Sequence, residues 1–190
     1  MKALVCAAAI LALGGSLIAD DAAAPEATPT PQPMTVAGDR AAAAGQAAVA
    51  EKDYLKATDN DPGDQAAWRG LVGLWERAGL TDRADWAYDH LAKTIPAPKD
   101  SGYLVVRGWS AQAGTIAGYN LYMSDNEKGG YHKMNDAMIT ATSFLVTGLG
   151  KGKTYYFVLT AFTTDSPPAE SKPSTVFSML CPSTRVVPRF

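Results

Sequence analysis

A spacing of 34 residues constrains this chain more than any other feature of it. Gly45 recurs as Gly79, Ala50 as Ala84, Tyr54 as Tyr88 and Pro62 as Pro96. A period of that length, closed each time by a helix-stopping proline, is the mark of stacked helical hairpins. The echo ends near residue 100. Beyond it apolar residues alternate with period two, as in Tyr119, Leu121 and Met123, in Phe144 and Val146, and in Tyr155, Phe157, Leu159 and Ala161, which is the pattern of strands with one buried face. The fold class this predicts is α+β in two modules, helices first and strands second.

The ends read differently. Lys2, the apolar run Ala3 to Ala12 and the small residues through Ala19 have the layout of a secretory signal peptide over residues 1–19, too short for a spanning helix and followed at once by Asp20 and Asp21. The mature chain is therefore expected outside the cytoplasm, in a periplasm, at a cell surface or secreted, with no membrane span. Residues 20–35, DDAAAPEATPTPQPMT, show no apolar periodicity and predict a Pro/Ala-rich disordered arm. The helical module is then residues 36–98, the strand module 99–181, and 182–190 a C-terminal tail. Cys6 leaves with the signal segment. Cys181 is then alone in an oxidising compartment, with burial or an intermolecular disulfide as its two open fates.

Losing Lys2 with the signal moves the formal charge from -2 to -3, a balance that favours neither nucleic acid nor an anionic membrane. The distribution is more informative. Asp39 to Lys93 holds ten acidic and seven basic residues, whereas Lys99 to the end holds six acidic and nine basic. Halves of opposite sign can attract within one molecule or head to tail between molecules.

Residues 34–96 resemble tetratricopeptide repeats. Trp68, Leu71 and Trp75 follow the family spacing on one face of a first helix, Gly79 stands at the turn, and Ala84, Tyr88 and Leu91 follow on the second helix, closed by Pro96. The copy before it keeps Gly45, Ala50, Tyr54, Ala57 and Pro62 but has Met34 where a tryptophan is common. Two repeats are fewer than a self-sufficient array needs, so something else must cover the open end. The resemblance implies a concave groove for a peptide, with Arg69, Gly73, Glu76 and Arg77 in it and Arg69 or Arg77 receiving a carboxylate. Trp68, Trp75, Trp86 and Tyr88 fit a core. In DNDPGD, Asp59, Asp61 and Asp64 suggest calcium, but the distal glutamate of a calcium loop is absent and a turn between repeats fits the same residues.

Residues 103–180 resemble a fibronectin type III domain, a seven-stranded immunoglobulin-like sandwich. Trp109, the run Ile116 to Tyr122, the run Phe144 to Leu149, and Tyr155 six residues after Leu149 carry the likeness. The last pair has the spacing of a corner in which a tyrosine hydroxyl bonds to upstream backbone. An inward Trp109 requires a bulge at the Arg107–Gly108 step, because Arg107 shares its parity. The closing strand is expected at Thr175 to Leu180. IPAPKD is too short and Pro-rich for a normal first strand, which leaves an edge that the tail or another chain can pair with. Opposite to the core parity, Tyr122, Tyr156, Val158 and Phe162 point outward as an apolar contact patch. The short connection after Pro96 favours docking of the helical module on that patch over a separate partner.

The chain has two histidines, His90 and His132, on different modules, and no GxSxG, HExxH, CxxCH or phosphate-cradling loop. The expectation is therefore a protein that is not an enzyme and uses no cofactor or metal. It is an exported interaction or scaffolding protein of a bacterial envelope or surface, binding a protein partner through Tyr122, Tyr156, Val158, Phe162, Arg69 and Arg77. The alternatives are a self-assembling head-to-tail subunit and, with less support, a carbohydrate-binding adhesion module.

Overall fold

Gly45 and Gly79 show how the repeat becomes structure. Both sit at positive φ, 73° and 72°, the left-handed conformation that closes a helix at little cost only when no Cβ is present. At the first turn Gln46 N–H donates to the Ala41 carbonyl at 2.9 Å, and 34 residues later Leu80 N–H donates to the Trp75 carbonyl at 2.8 Å. The computed structural model describes residues 32–107, 109 and 115–183, and in it these turns join α1 (Pro33–Ala43) to α2 (Ala47–Asn60) and α3 (Gln65–Arg77) to α4 (Thr81–Thr94). The echoed residues also share environments. Ala50 and Ala84 are both fully buried, and Tyr54 and Tyr88 nearly so. The expected signal segment, residues 20–31 of the arm, the Arg107–Gly108 bulge and tail residues 184–190 lie outside the described residues.

The arm ends earlier than its composition suggests. Residues 33–35 already belong to α1, which starts on Pro33, a position where the missing N–H is not needed. Thr35 is fully buried, and its hydroxyl donates to Asp64 Oδ2 while Asp64 Oδ1 accepts the Ala67 N–H at 3.0 Å as the cap of α3. Asp64 is thereby committed to holding two helices together.

The strands form two antiparallel sheets. β1 (Gly102–Arg107) pairs with β4 (Ser143–Leu149), and β3 (His132–Lys133), β2 (Ile116–Ser124), β5 (Thr154–Thr163) and β6 (Phe177–Leu180) form the other sheet in that order. Their inner faces pack Leu104, Val106 and Val146 against Tyr119, Leu121, Met123, Tyr155 and Phe157, the parity read from the alternation. The Tyr155 hydroxyl accepts the Gly150 N–H at 2.8 Å. Trp109 packs against this core while Arg107 reaches the other way, towards the helices. Cys181 is completely buried; a methyl added at Gly102 would lie 2.5 Å from its Sγ.

Six strands are present among the described residues, rather than the seven of the sandwich that the sequence resembles. Residues 95–101 form no strand, because Pro96 and Pro98 supply no ladder N–H. The closing strand begins at Phe177 rather than Thr175.

The helices do dock on the strands, but not on the Tyr122 and Tyr156 face. They cover the outer face of the β1–β4 pair, where Val105 joins the helical core and Tyr103 and Leu145 pack against it. The structure is thus three layers: helices, the two-stranded sheet, then the four-stranded sheet. The described residues form one compact unit. The polar centre of the seam explains the choice of face. Arg107 Nε bonds Glu76 Oε1 at 3.2 Å and its Nη2 bonds Asp85 Oδ1 at 2.8 Å. Ser143 Oγ lies 2.5 Å from both Glu76 Oε2 and the Tyr88 hydroxyl. A carboxylate only accepts, so Ser143 donates to Glu76 and accepts from Tyr88.

Candidate functional site

Two surfaces lie on the outer layers, each built by one end of the molecule. On the helical side, Arg69, Gly73 and Arg77 recur every four residues along α3 and therefore share one face. They line an open cleft of about 410 Å³ together with Asp39, Ala42 and Ala43 of α1 and Tyr54 of α2. Among the described residues neither arginine forms an ion pair, so two exposed guanidinium groups face solvent from one wall. The cleft floor is fixed. Tyr54 donates to Asp39 Oδ1 at 2.6 Å, and its hydroxyl is held well above the ordinary tyrosine range, first by burial and then by the hydrogen bond and charge of Asp39, with Arg77 opposing. Such a cleft can accept an anionic group on its arginine wall.

Glu76, which the repeat resemblance places in this groove, is not there. It lies round the helix towards the strands, where it accepts from Ser143 and Arg107. The tryptophans are structural, as their spacing suggests: Trp68 and Trp75 are buried, and their indole N–H groups donate to the Pro62 carbonyl at 2.9 Å and Glu51 at 3.1 Å.

On the far side, the register of β2 with β5 sets Tyr122 opposite Val158, Ser124 opposite Tyr156 and Gly118 opposite Phe162. Four outward residues of the alternation thus share one sheet face, but they do not form one exposed patch. Val158 is only 8% exposed, at the floor of an open cleft of about 600 Å³ that Tyr122, Tyr131, Thr160, Glu170, Pro173 and Val176 also line. Phe162 lies further along the strand, bridged to Glu170 through the backbone. Tyr156 stands close enough to Tyr131 to contribute, after partial burial and Glu127, to raising the Tyr131 hydroxyl above its ordinary value.

One wall of this cleft comes from a segment that alternation cannot reach. Residues 169–174 run along the edge of β5, with Ser171 N–H donating to the Ala161 carbonyl and Ser174 N–H to the Leu159 carbonyl, both at 2.8 Å. The Ser171 and Ser174 hydroxyls accept from the Ala161 and Leu159 N–H groups at 2.9 and 3.0 Å. This strap carries Glu170 over the sheet, where Oε1 accepts from Thr160 at 2.6 Å and from Tyr122 at 3.2 Å. Tyr131 and Glu170 were not among the sequence candidates; two serines three apart before a strand are the faint signal of such a strap. A third cleft, of about 550 Å³ at the helix–strand seam, has Asp89 on its wall already bonded by Lys93 and Tyr103.

In comparisons with known proteins, the chain matches no protein-family model and no curated protein.

Proposed function

We propose that this chain is an exported, non-enzymatic interaction or scaffolding protein of a bacterial envelope or surface, in which a two-repeat tetratricopeptide-like array and a fibronectin type III-like sandwich act as one body. The observation that carries this reading is the pair of open, chemically different clefts on opposite outer layers: arginines at Arg69 and Arg77 in one, tyrosines at Tyr122 and Tyr131 in the other, with Tyr156 on the same sheet face as the second. Because the seam between the layers is occupied by buried apolar contacts and the Arg107–Glu76–Ser143–Tyr88 network, the clefts are held in fixed relation. A preset distance between two binding surfaces is what a scaffold requires. The signal-peptide layout of residues 1–19 supports export.

The expected result is that the immobilised full chain captures a partner from envelope extract, that Tyr156→Lys or Arg69→Glu with Arg77→Glu abolishes capture, and that Lys52→Glu, on an exposed position of α2, does not. Capture indifferent to both site variants would remove these surfaces from the function. A self-assembling subunit is the second reading, favoured by the opposite charge of the two halves and by a β1–β4 pair that no third strand joins among the described residues.

A further inference from the structure

Glu170 sits apart from the ordinary surface carboxylates of this protein. Both of its hydrogen bonds fall on one oxygen: Thr160 and Tyr122 donate to Oε1, and no lysine or arginine pairs with it among the described residues. The two hydroxyls fix the orientation of the group, while Oε2 has no protein partner among those residues. Around it stand the rings of Tyr122 and Tyr131, with Pro173, Val158 and Val176 completing the cleft. A carboxylate held in place in a cleft that two tyrosine rings line is complementary to a flat cation, which can stack on a ring and donate to the oxygen at once.

We propose that this cleft receives an arginine side chain presented by a partner protein. The inference rests on the reading of this face as a partner surface and names what that surface selects. An exposed ion pair alone contributes little. Here Thr160 and Tyr122 have already oriented the carboxylate, so less order is lost on binding, and the tyrosine rings add attraction that a solvated glutamate lacks. Arginine suits the site better than lysine, because its planar fork can bond Oε2 while its face lies against a ring.

The test is a titration of the isotopically labelled full chain with acetyl-Gly-Arg-Gly-amide, and with the same peptide carrying citrulline, which keeps the shape of arginine and loses its charge. The expected result is saturable shifts of the Tyr122, Tyr131 and Glu170 amide signals with the arginine peptide, and binding about tenfold weaker with citrulline. Glu170→Gln keeps an oxygen for Thr160 and Tyr122 to bond and removes the charge; it is expected to weaken the arginine peptide by about the same factor and leave the citrulline peptide unchanged. Equal binding of the two peptides, shifts confined to another surface, or no saturable shift would each overturn the proposal. If the arginine peptide fails while partner capture still depends on Tyr156, the face remains a partner surface and only its cation selectivity falls. If the arginine peptide binds but capture ignores Tyr156, the cleft stands and the wider reading of the face falls.

Discussion

Alanine at position 70 is expected to destabilise this protein by about 1–3 kcal/mol, although the same change inside an ordinary helix stabilises by about 1 kcal/mol. Gly70 lies within α3, and a methyl built there would lie 2.5 Å from Tyr54 Cε1 and 2.7 Å from Cε2. Gly38 of α1 presses on the same ring from another side, with its own added methyl 2.6 Å from Cδ1 and Cε1. Tyr54 cannot swing away, because its hydroxyl is bonded to Asp39 and the ring is buried. The helix gain is therefore outweighed by overpacking. Chemical denaturation of Gly70→Ala beside Gly73→Ala checks this, since a methyl at Gly73 meets only the flexible end of Arg77, at 3.4 Å. A gain in stability for both would show that Tyr54 is not clamped. Shrinking the ring, as in Tyr54→Leu, is expected to restore the tolerance of position 70 to alanine.

Alkaline pH is expected to loosen the protein through Tyr88. Burial, more than any other cause, pushes its hydroxyl from the ordinary 10.0 up to about 12, with the charge of Glu76 adding to the rise and the charge of Arg107 opposing it. The folded state thus holds this proton after the unfolded chain has released it. The stabilising contribution is complete below about pH 10 and is lost as pH rises through about 12. Two units of difference correspond to about 3 kcal/mol. Urea unfolding at a series of pH values should show stability falling across this window, and falling less steeply in Tyr88→Phe, where no proton is released. Tyr54 is shifted in the same direction, so the phenylalanine variant keeps part of the slope. An identical slope in both proteins would mean that Tyr88 is not buried against β4.

The helices were legible because their signals are local. Gly45 and Gly79 mark turns through backbone conformation, and Ala50, Tyr54, Ala84 and Tyr88 mark a buried face through spacing alone. The inner faces of the strands were legible for the same reason. The docking face was not, because it depends on polar groups far apart in sequence: Ser143 meets Glu76 across 67 residues and Tyr88 across 55. Tyr88 itself shows the limit of the repeat. Its echo Tyr54 is covered by glycines of neighbouring helices, whereas Tyr88 is covered by the Arg107 guanidinium, 5.4 Å from its ring, and by Ser143. The two-stranded sheet packs against the helical core at α4, the last of the four helices. Parity placed Tyr122 and Tyr156 on the outer face, but not Glu170, since a strap held by serine hydroxyls has no period to read. The same limit applies to Arg69 and Arg77. Spacing set them on one face of α3, and the cleft beside them depends on where α1 packs.

The measurement that separates a scaffold for a foreign partner from a self-assembling subunit most directly is the molar mass of the full-length chain in solution. Light scattering behind size exclusion, over about a hundredfold range of concentration, resolves the two because self-association follows mass action. A monomer at every concentration is the expected result, leaving both clefts open to other proteins. Growth of the mass with concentration would contradict it and assign the clefts, or the edges of β1 and β4 that no third strand joins among the described residues, to copies of the chain itself.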